Sequence, residues 1–469
     1  MLRGALPGAH AGRRAPGGAG GPARRGRAPL AGLSALRRRA RAALREPAAR
    51  ARRRGTLKAT QHELEIHGTV ASGFEVVREA FAENFRERRE VGAALHVTIE
   101  GEPVVDLWGG VADVRGQERP WERDTATVVW STTKGLVALC YLLLEDRGQL
   151  DLDLPVAHYW REFGRGNKAG ITVRTLLNHR AGLVYLPSKL RVEDLADPDA
   201  VSVLLEAATP IWEPGSDQGY HAISWGAFVG ELFRRVAGES VGTFLRRELA
   251  EPTGAKLGLG VPLDDPLRAH VVDIIPNRKR EFLRHALPEA LFGKSAETYT
   301  YRGVVGRPYS AVGRAFRSGP SLGRRQFQAM NDPAITALEL PWCGALASAV
   351  SLAKIYTPFA LGGEHGGRRY CKEESLAGPM ARQSWSERDL VIHKPIGWSQ
   401  GFLKDELHLI SPKVEAFGHA GMGGSLGFCD PSEKLAFGYV MNRMDWRIRS
   451  PRMVALCRAV YRALGVVSE

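Results

Sequence analysis

The stretch VVWSTTKGLVALCYLLLEDRG, residues 128–148, decides how the chain is read. A short β-branched run stops at Ser131, Lys134 follows three residues later, and an apolar run long enough for a helix begins. Two readings compete. Ser131 is either a plain N-cap beside a chance lysine or a nucleophile beside its base. Residues i and i+3 share a helix face, so Lys134 can reach Ser131. A lysine buried at a helix N-terminus has its charged form disfavoured by desolvation and by the positive end of the helix dipole, which makes it a competent base. The N–H groups exposed at the helix start can also hold an oxyanion.

Two other serines compete for the role. Gly423-Gly424-Ser425-Leu426-Gly427 matches the G-x-S-x-G pentapeptide. That motif needs a helix after it and a histidine later in the chain. Here a strand-turn-strand pattern follows and no histidine lies beyond His419. Ser351-Leu352-Ala353-Lys354 repeats S-x-x-K inside an apolar helical run, where Ser351 reads as a cap or as packing.

Working outward, SGFEVVREAFAENFRER (72–88) reads as a helix with a Ser72/Glu75 capping box and an apolar face of Phe74, Val77, Phe81 and Phe85. Two β-rich runs flank Glu100–Gly101 as a hairpin. Residues from roughly 150 to 360 are mostly helical with long loops, and 290–325 reads as irregular and Gly-rich. Strands return after 390 in IGWSQGFLK, ELHLI, GSLGFCD and LAFGYVMN, and a last helix opens at Ser450-Pro451. The expected fold is α/β in the α+β sense: one antiparallel sheet built from both chain ends and flanked by helices, with a mostly helical insertion.

At 469 residues with 44% hydrophobic and 25% charged content, the chain has an ordinary globular composition. The longest strongly apolar run, GLVALCYLLL, falls well short of the ~20 residues a membrane span needs. Five scattered cysteines without a C-x-x-C pair argue against a disulfide framework or a zinc site and fit a reducing, cytoplasmic setting. Fifteen Arg and one Lys against Glu46 give residues 1–58 a net +15, so of the total +14 the body keeps −1. This Ala-, Gly-, Pro- and Arg-rich tail is expected to be disordered, with the folded domain occupying 59–469. It lacks the apolar stretch of a secretory signal. It reads as an organelle transit segment, as a basic arm for nucleic acid or anionic membrane, or, the preferred reading, as upstream sequence with no role in the mature fold.

Downstream of Ser131, the segment EPGSDQGYHAISWG carries Tyr220 and FGHAGMGGSLGF carries His419-Ala420-Gly421. With S-x-x-K, a tyrosine motif and H-x-G in this order, residues 66–462 resemble the serine β-lactamase and penicillin-binding superfamily, closest to the class C β-lactamase-like esterases known as family VIII carboxylesterases. TVRTLLNHRAGL adds to the likeness. The resemblance implies a metal- and cofactor-independent serine hydrolase in which Ser131 is acylated and Lys134 shuttles a proton. Tyr220, its pKa lowered by that lysine, would be the base or the acid for the leaving alkoxide. His419, where many relatives carry lysine, would donate to a substrate carboxylate or carbonyl or steady Tyr220. Gly421 would let the edge strand approach the substrate, and the N–H of Met422 with that of Ser131 would form the oxyanion hole.

Ala222 departs from the family pattern, which places asparagine at the third position of the tyrosine motif. This puts β-lactam hydrolysis in doubt and leaves His221 as a substitute polar contact. Trp342 and Trp398 are expected to line the cleft, while His179 reads as a partner for loop backbone. The leading expectation is cleavage of small esters. The alternatives are a D-amino-acid peptidase or weak β-lactamase of the same fold, and a non-enzymatic scaffold or a protein acting through its basic tail.

Overall fold

The computed structural model describes residues 65–467 except 114–118, 187–189, 277–283, 285–286, 289–290, 318–322 and 405–409. The basic tail and most of ELHLI lie outside the described residues. Nine strands form the main path of one antiparallel sheet: β1 (Ile66–Val70), β2 (Gly92–Ile99), β3 (Glu102–Asp113), β4 (Ser384–Ser386), β5 (Ile396–Ser399), β6 (Phe402–Lys404), β7 (Phe417–Ala420), β8 (Leu426–Asp430) and β9 (Leu435–Met441). Their order across the sheet is β1-β3-β2-β9-β8-β7-β6-β5-β4. The seam between β9 and β2 runs from Leu435 opposite Ile99 to Met441 opposite Ala93, so the sheet is built from both chain ends.

Period-two burial explains the layers. Leu435, Phe437, Tyr439 and Met441 enter a core shared with Val77, Phe81, Met453, Leu456 and Val460 of helices α1 (Glu75–Glu87) and α6 (Pro451–Ala463). Ala436 and Val440 face the other way, into the core that holds α2 (Thr132–Asp146), α3 (Ser224–Ala237) and α5 (Ala349–Ala360). A further helix, α4 (Ala296–Gly306), lies in the insertion.

Local expectations met mixed outcomes. The β2–β3 hairpin turns at Glu100 and Gly101, both at positive φ, as a two-residue hairpin turn requires. The capping box fails: Phe74 occupies the N-cap, and Glu75 instead accepts from Gly73 N–H at 2.9 Å. The 290–325 region is more regular than expected, holding α4 and the helix Ala311–Arg317. The glycines there serve contact rather than disorder, for a Cβ at Gly303 or Gly313 would meet Val312 or the backbone of Arg307 and Pro308.

Candidate active site

Helix α2 starts one residue after Ser131, at the end of a three-stranded sheet that pairs Thr127–Val128 with Leu346–Ala347. Trp130 stands at φ 50°, an uncommon conformation for a bulky residue, and turns the chain sharply into the helix. Ser131 occupies the N-cap position but makes no side-chain capping bond, so the plain capping reading fails.

Lys134 is fully buried. Its Nζ donates to the carbonyls of Ala222 at 2.9 Å and Trp342 at 3.0 Å and stands 3.5 Å from Ser131 Oγ. A neutral amine has two hydrogens and one lone pair. Two carbonyls take the hydrogens, which leaves the lone pair for the serine hydroxyl. Burial lowers the lysine pKa to about 7.

Tyr220 packs its ring against Trp398, stacked within 2° at 5.5 Å, and under Lys134 Nζ at 5.1 Å. Burial dominates and pushes its phenol well above the ordinary value, against a smaller opposing influence of the Ser131 hydroxyl. The expectation of a lowered pKa is therefore corrected. A phenolate packed here would lose much of its hydration, and a near-neutral lysine supplies little field to compensate. Tyr220 is a hydroxyl donor, not a standing base.

His419 on β7 has Nδ1 2.7 Å from Ala420 O. A carbonyl only accepts, so Nδ1 carries the proton and Nε2 is a bare lone pair, buried and without a partner among the described residues. Burial, with Lys134 nearby, lowers the ring pKa to about 3. The expected donation to a carboxylate or carbonyl is corrected: the neutral ring accepts at this nitrogen. It lies 6.2 Å from the Tyr220 ring, so a role beside that residue fits the geometry.

Gly421 and Met422 sit in the turn between β7 and β8. A Cβ at Gly421 would run into Val129 O and Ser425 Oγ, so glycine is needed for the turn to lie against the start of α2. Likewise a Cβ at Gly135 would meet the Tyr356 hydroxyl and His419, so α2 and β7 approach closely there. Among the described residues, neither Ser131 N–H nor Met422 N–H donates a hydrogen bond, which leaves both for an oxyanion.

Three expected contacts move out of the cleft. His221 is fully buried, accepts from Leu183 N–H at 2.9 Å through Nε2 and meets Gly219 O at 2.6 Å through Nδ1. With both nitrogens held by backbone it has nothing left for a substrate. Trp342 is 7% exposed and reaches Lys134 through its carbonyl rather than its indole. Trp398 is 1% exposed and acts as a wall behind Tyr220. Packing around the catalytic set, rather than substrate, claims these rings.

His179 fills the backbone role expected of it, accepting from His221 N–H at 3.1 Å through Nδ1. Ser351 lies inside α5, capped by Ser348, and its hydroxyl donates to Lys256 O, while Lys354 is exposed. Asp389 carries no motif that marks it in the sequence. It is fully buried and accepts the Tyr220 N–H at 3.0 Å.

Comparison with known proteins agrees with this geometry. The family profile described as β-lactamase matches residues 77–455. "Esterase/beta-lactamase LipL" of Mycobacterium tuberculosis is 35% identical over 382 residues, covering 81% of this chain and 83% of that protein. The crystal structure of a family VIII carboxylesterase, 36% identical, superposes with a TM-score of 0.73 and covers 85% of this chain and 100% of its own. A novel penicillin-binding protein homolog from Caulobacter crescentus, 34% identical, gives a TM-score of 0.72 over 85% of this chain and 100% of its own. With the S-x-x-K lysine buried against its serine and the sheet built from both termini, the chain belongs to the β-lactamase family and is a serine hydrolase of that fold.

Proposed function

We propose that the protein hydrolyses small neutral esters through an acyl-enzyme on Ser131. One observation carries the reading: Lys134 Nζ, held by two backbone carbonyls, stands 3.5 Å from Ser131 Oγ, and in its neutral form has a lone pair left for that hydroxyl. The 3.5 Å separation is long for a hydrogen bond, and such contacts commonly tighten once substrate is bound. Lys134 accepts the Ser131 proton as Oγ attacks the ester carbonyl. The N–H groups of Ser131 and Met422 hold the oxyanion. Collapse expels the alcohol, which takes its proton from the Tyr220 hydroxyl, and Tyr220 recovers one from the Lys134 ammonium. Water then attacks the acyl-enzyme by the same relay, releasing the acid and restoring the serine. The path calls on no metal or cofactor. Five buried free thiols support a reducing compartment such as the cytoplasm.

Ester rather than β-lactam substrates are favoured by Ala222, which offers a methyl group and a carbonyl already held by Lys134. Neutral substrates are favoured by His419, whose uncharged ring offers no cation to a carboxylate. The test is labelling with a fluorophosphonate probe followed by peptide mapping. The expected label is on Ser131, and none forms in Ser131→Ala. A label on Ser425 or Ser351 overturns the reading.

A further inference from the structure

The buried carboxyl of Asp389 has no part in the chemistry above, yet it is tied to the residue that moves the proton. Its Oδ1 accepts three backbone N–H groups: Tyr220 at 3.0 Å, Val391 at 2.8 Å and Ile392 at 3.0 Å. Two of these shape its own turn. The third crosses 169 positions of sequence to fix the backbone of Tyr220. The same turn clasps the tyrosine loop elsewhere, for Leu390 N–H donates to Gln218 O at 3.0 Å, and a Cβ at Gly219 would touch Leu390 and Val391. On its far side the turn is closed by Asp389 N–H to Lys394 O and braced by α4, where Thr300 donates to Ile392 O at 3.1 Å and Glu297 pairs with Lys394 at 2.7 Å.

The carboxyl itself is held in an unusual state. Among the described residues Oδ2 is buried without a close hydrogen-bond partner, although the nearby Gln218 amide favours the carboxylate. Burial raises the carboxyl pKa to about 6. What reaches Tyr220 is one well-placed acceptor oxygen, Oδ1.

We propose that Asp389 is a positioning residue for Tyr220: its Oδ1 pins the tyrosine backbone so that the ring, stacked on Trp398, presents its hydroxyl to Ser131. This rests on the proton-relay role proposed for Tyr220. A misplacement of about 1 Å in such a group costs on the order of 10²-fold in rate. The clamp touches no substrate, so its loss should appear in kcat and leave KM nearly unchanged.

The experiment is steady-state kinetics on p-nitrophenyl butyrate with the full chain and its variants Asp389→Ala, Asp389→Glu, Asp389→Asn, Tyr220→Phe and the double variant Asp389→Ala/Tyr220→Phe, each checked by thermal melting. Asp389→Ala should lower kcat about 100-fold. Asp389→Asn, which keeps an acceptor oxygen in the place of Oδ1, should recover most of that loss. Asp389→Glu, which keeps the charge but shifts the oxygens by a methylene, should not. In the Tyr220→Phe background, Asp389→Ala should add little, because the two act through one hydroxyl.

Full multiplicativity of the two losses overturns the proposal, as does an Asn variant no better than Ala or a Glu variant better than Asn. If Asp389→Ala does not fold, the Asn and Glu variants still decide. An unchanged kcat in Tyr220→Phe alone would instead remove the relay role of Tyr220, a separate failure from that of Asp389.

Discussion

Ser425 Oγ donates to the Val129 carbonyl at 2.7 Å and lies 3.1 Å from Thr132 Oγ1, so the serine of the apparent G-x-S-x-G motif staples the β7–β8 turn to the two sides of Ser131. It is fully buried, and the partners of its hydroxyl are a carbonyl and another hydroxyl. Its hydroxyl ties the turn that carries Met422 to the start of α2, which in the proposed mechanism supports the oxyanion site.

That close approach predicts the outcome of Gly421→Ala. The added methyl must displace either Val129 O or Ser425 Oγ, and the Met422 N–H moves with the turn. Loss of one oxyanion donor costs on the order of 10²- to 10³-fold in kcat. Presteady-state acylation by p-nitrophenyl acetate should slow by about that factor while the melting temperature changes far less in proportion.

Activity should depend on the ionisation of Lys134. The working form is the neutral amine, and its pKa is lowered to about 7 by burial. Protonation below that value removes the base, so kcat/KM should fall about tenfold per pH unit on the acid side and level off above it. The apparent value belongs to the coupled Ser131–Lys134–Tyr220 set. Lys134→Met should lose about 10²- to 10⁴-fold and flatten the acid limb. An acid limb that survives in this variant would assign the titration to another group.

Ester and β-lactam substrates should separate clearly. A missing hydrogen bond at Ala222 costs about 1–3 kcal/mol, or roughly 5- to 150-fold. A carboxylate next to neutral His419 must also lose hydration without gaining a cation. On one preparation, kcat/KM for p-nitrophenyl butyrate should exceed that for nitrocefin and for the p-nitrophenyl hemiester of succinate. Nitrocefin turnover equal to or above the butyrate value would favour the β-lactamase reading.

Arg452 and Glu90 form a buried ion pair at 2.5 Å beneath the same turn, and Arg452 also donates to Gly423 O at 3.3 Å. Removing one partner of such a pair leaves an uncompensated buried charge and costs about 3–5 kcal/mol. Arg452→Ala should therefore shift the urea midpoint strongly, while Arg452→Met with Glu90→Leu should shift it less.

A chain starting at Thr60 should keep its turnover of a soluble ester, because the +15 tail carries little that could enter a core. Precipitation or loss of most activity in that shortened chain would make the tail part of the domain. Salt-sensitive DNA binding confined to the full chain would support the binding-arm reading.

Local information was enough for the elements whose signal is periodic or chemical. The apolar run after Ser131 had to be a buried helix, the alternation in LAFGYVMN had to be a two-faced strand, and S-x-x-K at a helix start had to place Lys134 beside Ser131. Turn residues at Glu100–Gly101 forced the hairpin through their positive φ. Each follows from spacing within a few residues, which the chain carries wherever it folds.

Tertiary structure decided what depends on desolvation and on distant partners. Whether Lys134 is a base turns on two carbonyls 88 and 208 positions away and on complete burial. His221 and His419 look alike in sequence, but backbone holds both nitrogens of one and a single nitrogen of the other. Packing around Tyr220 raises its pKa, and Asp389 joins it from 169 residues away. Proximity across the chain and exclusion of water are properties of packing, and no local pattern of residue types encodes them.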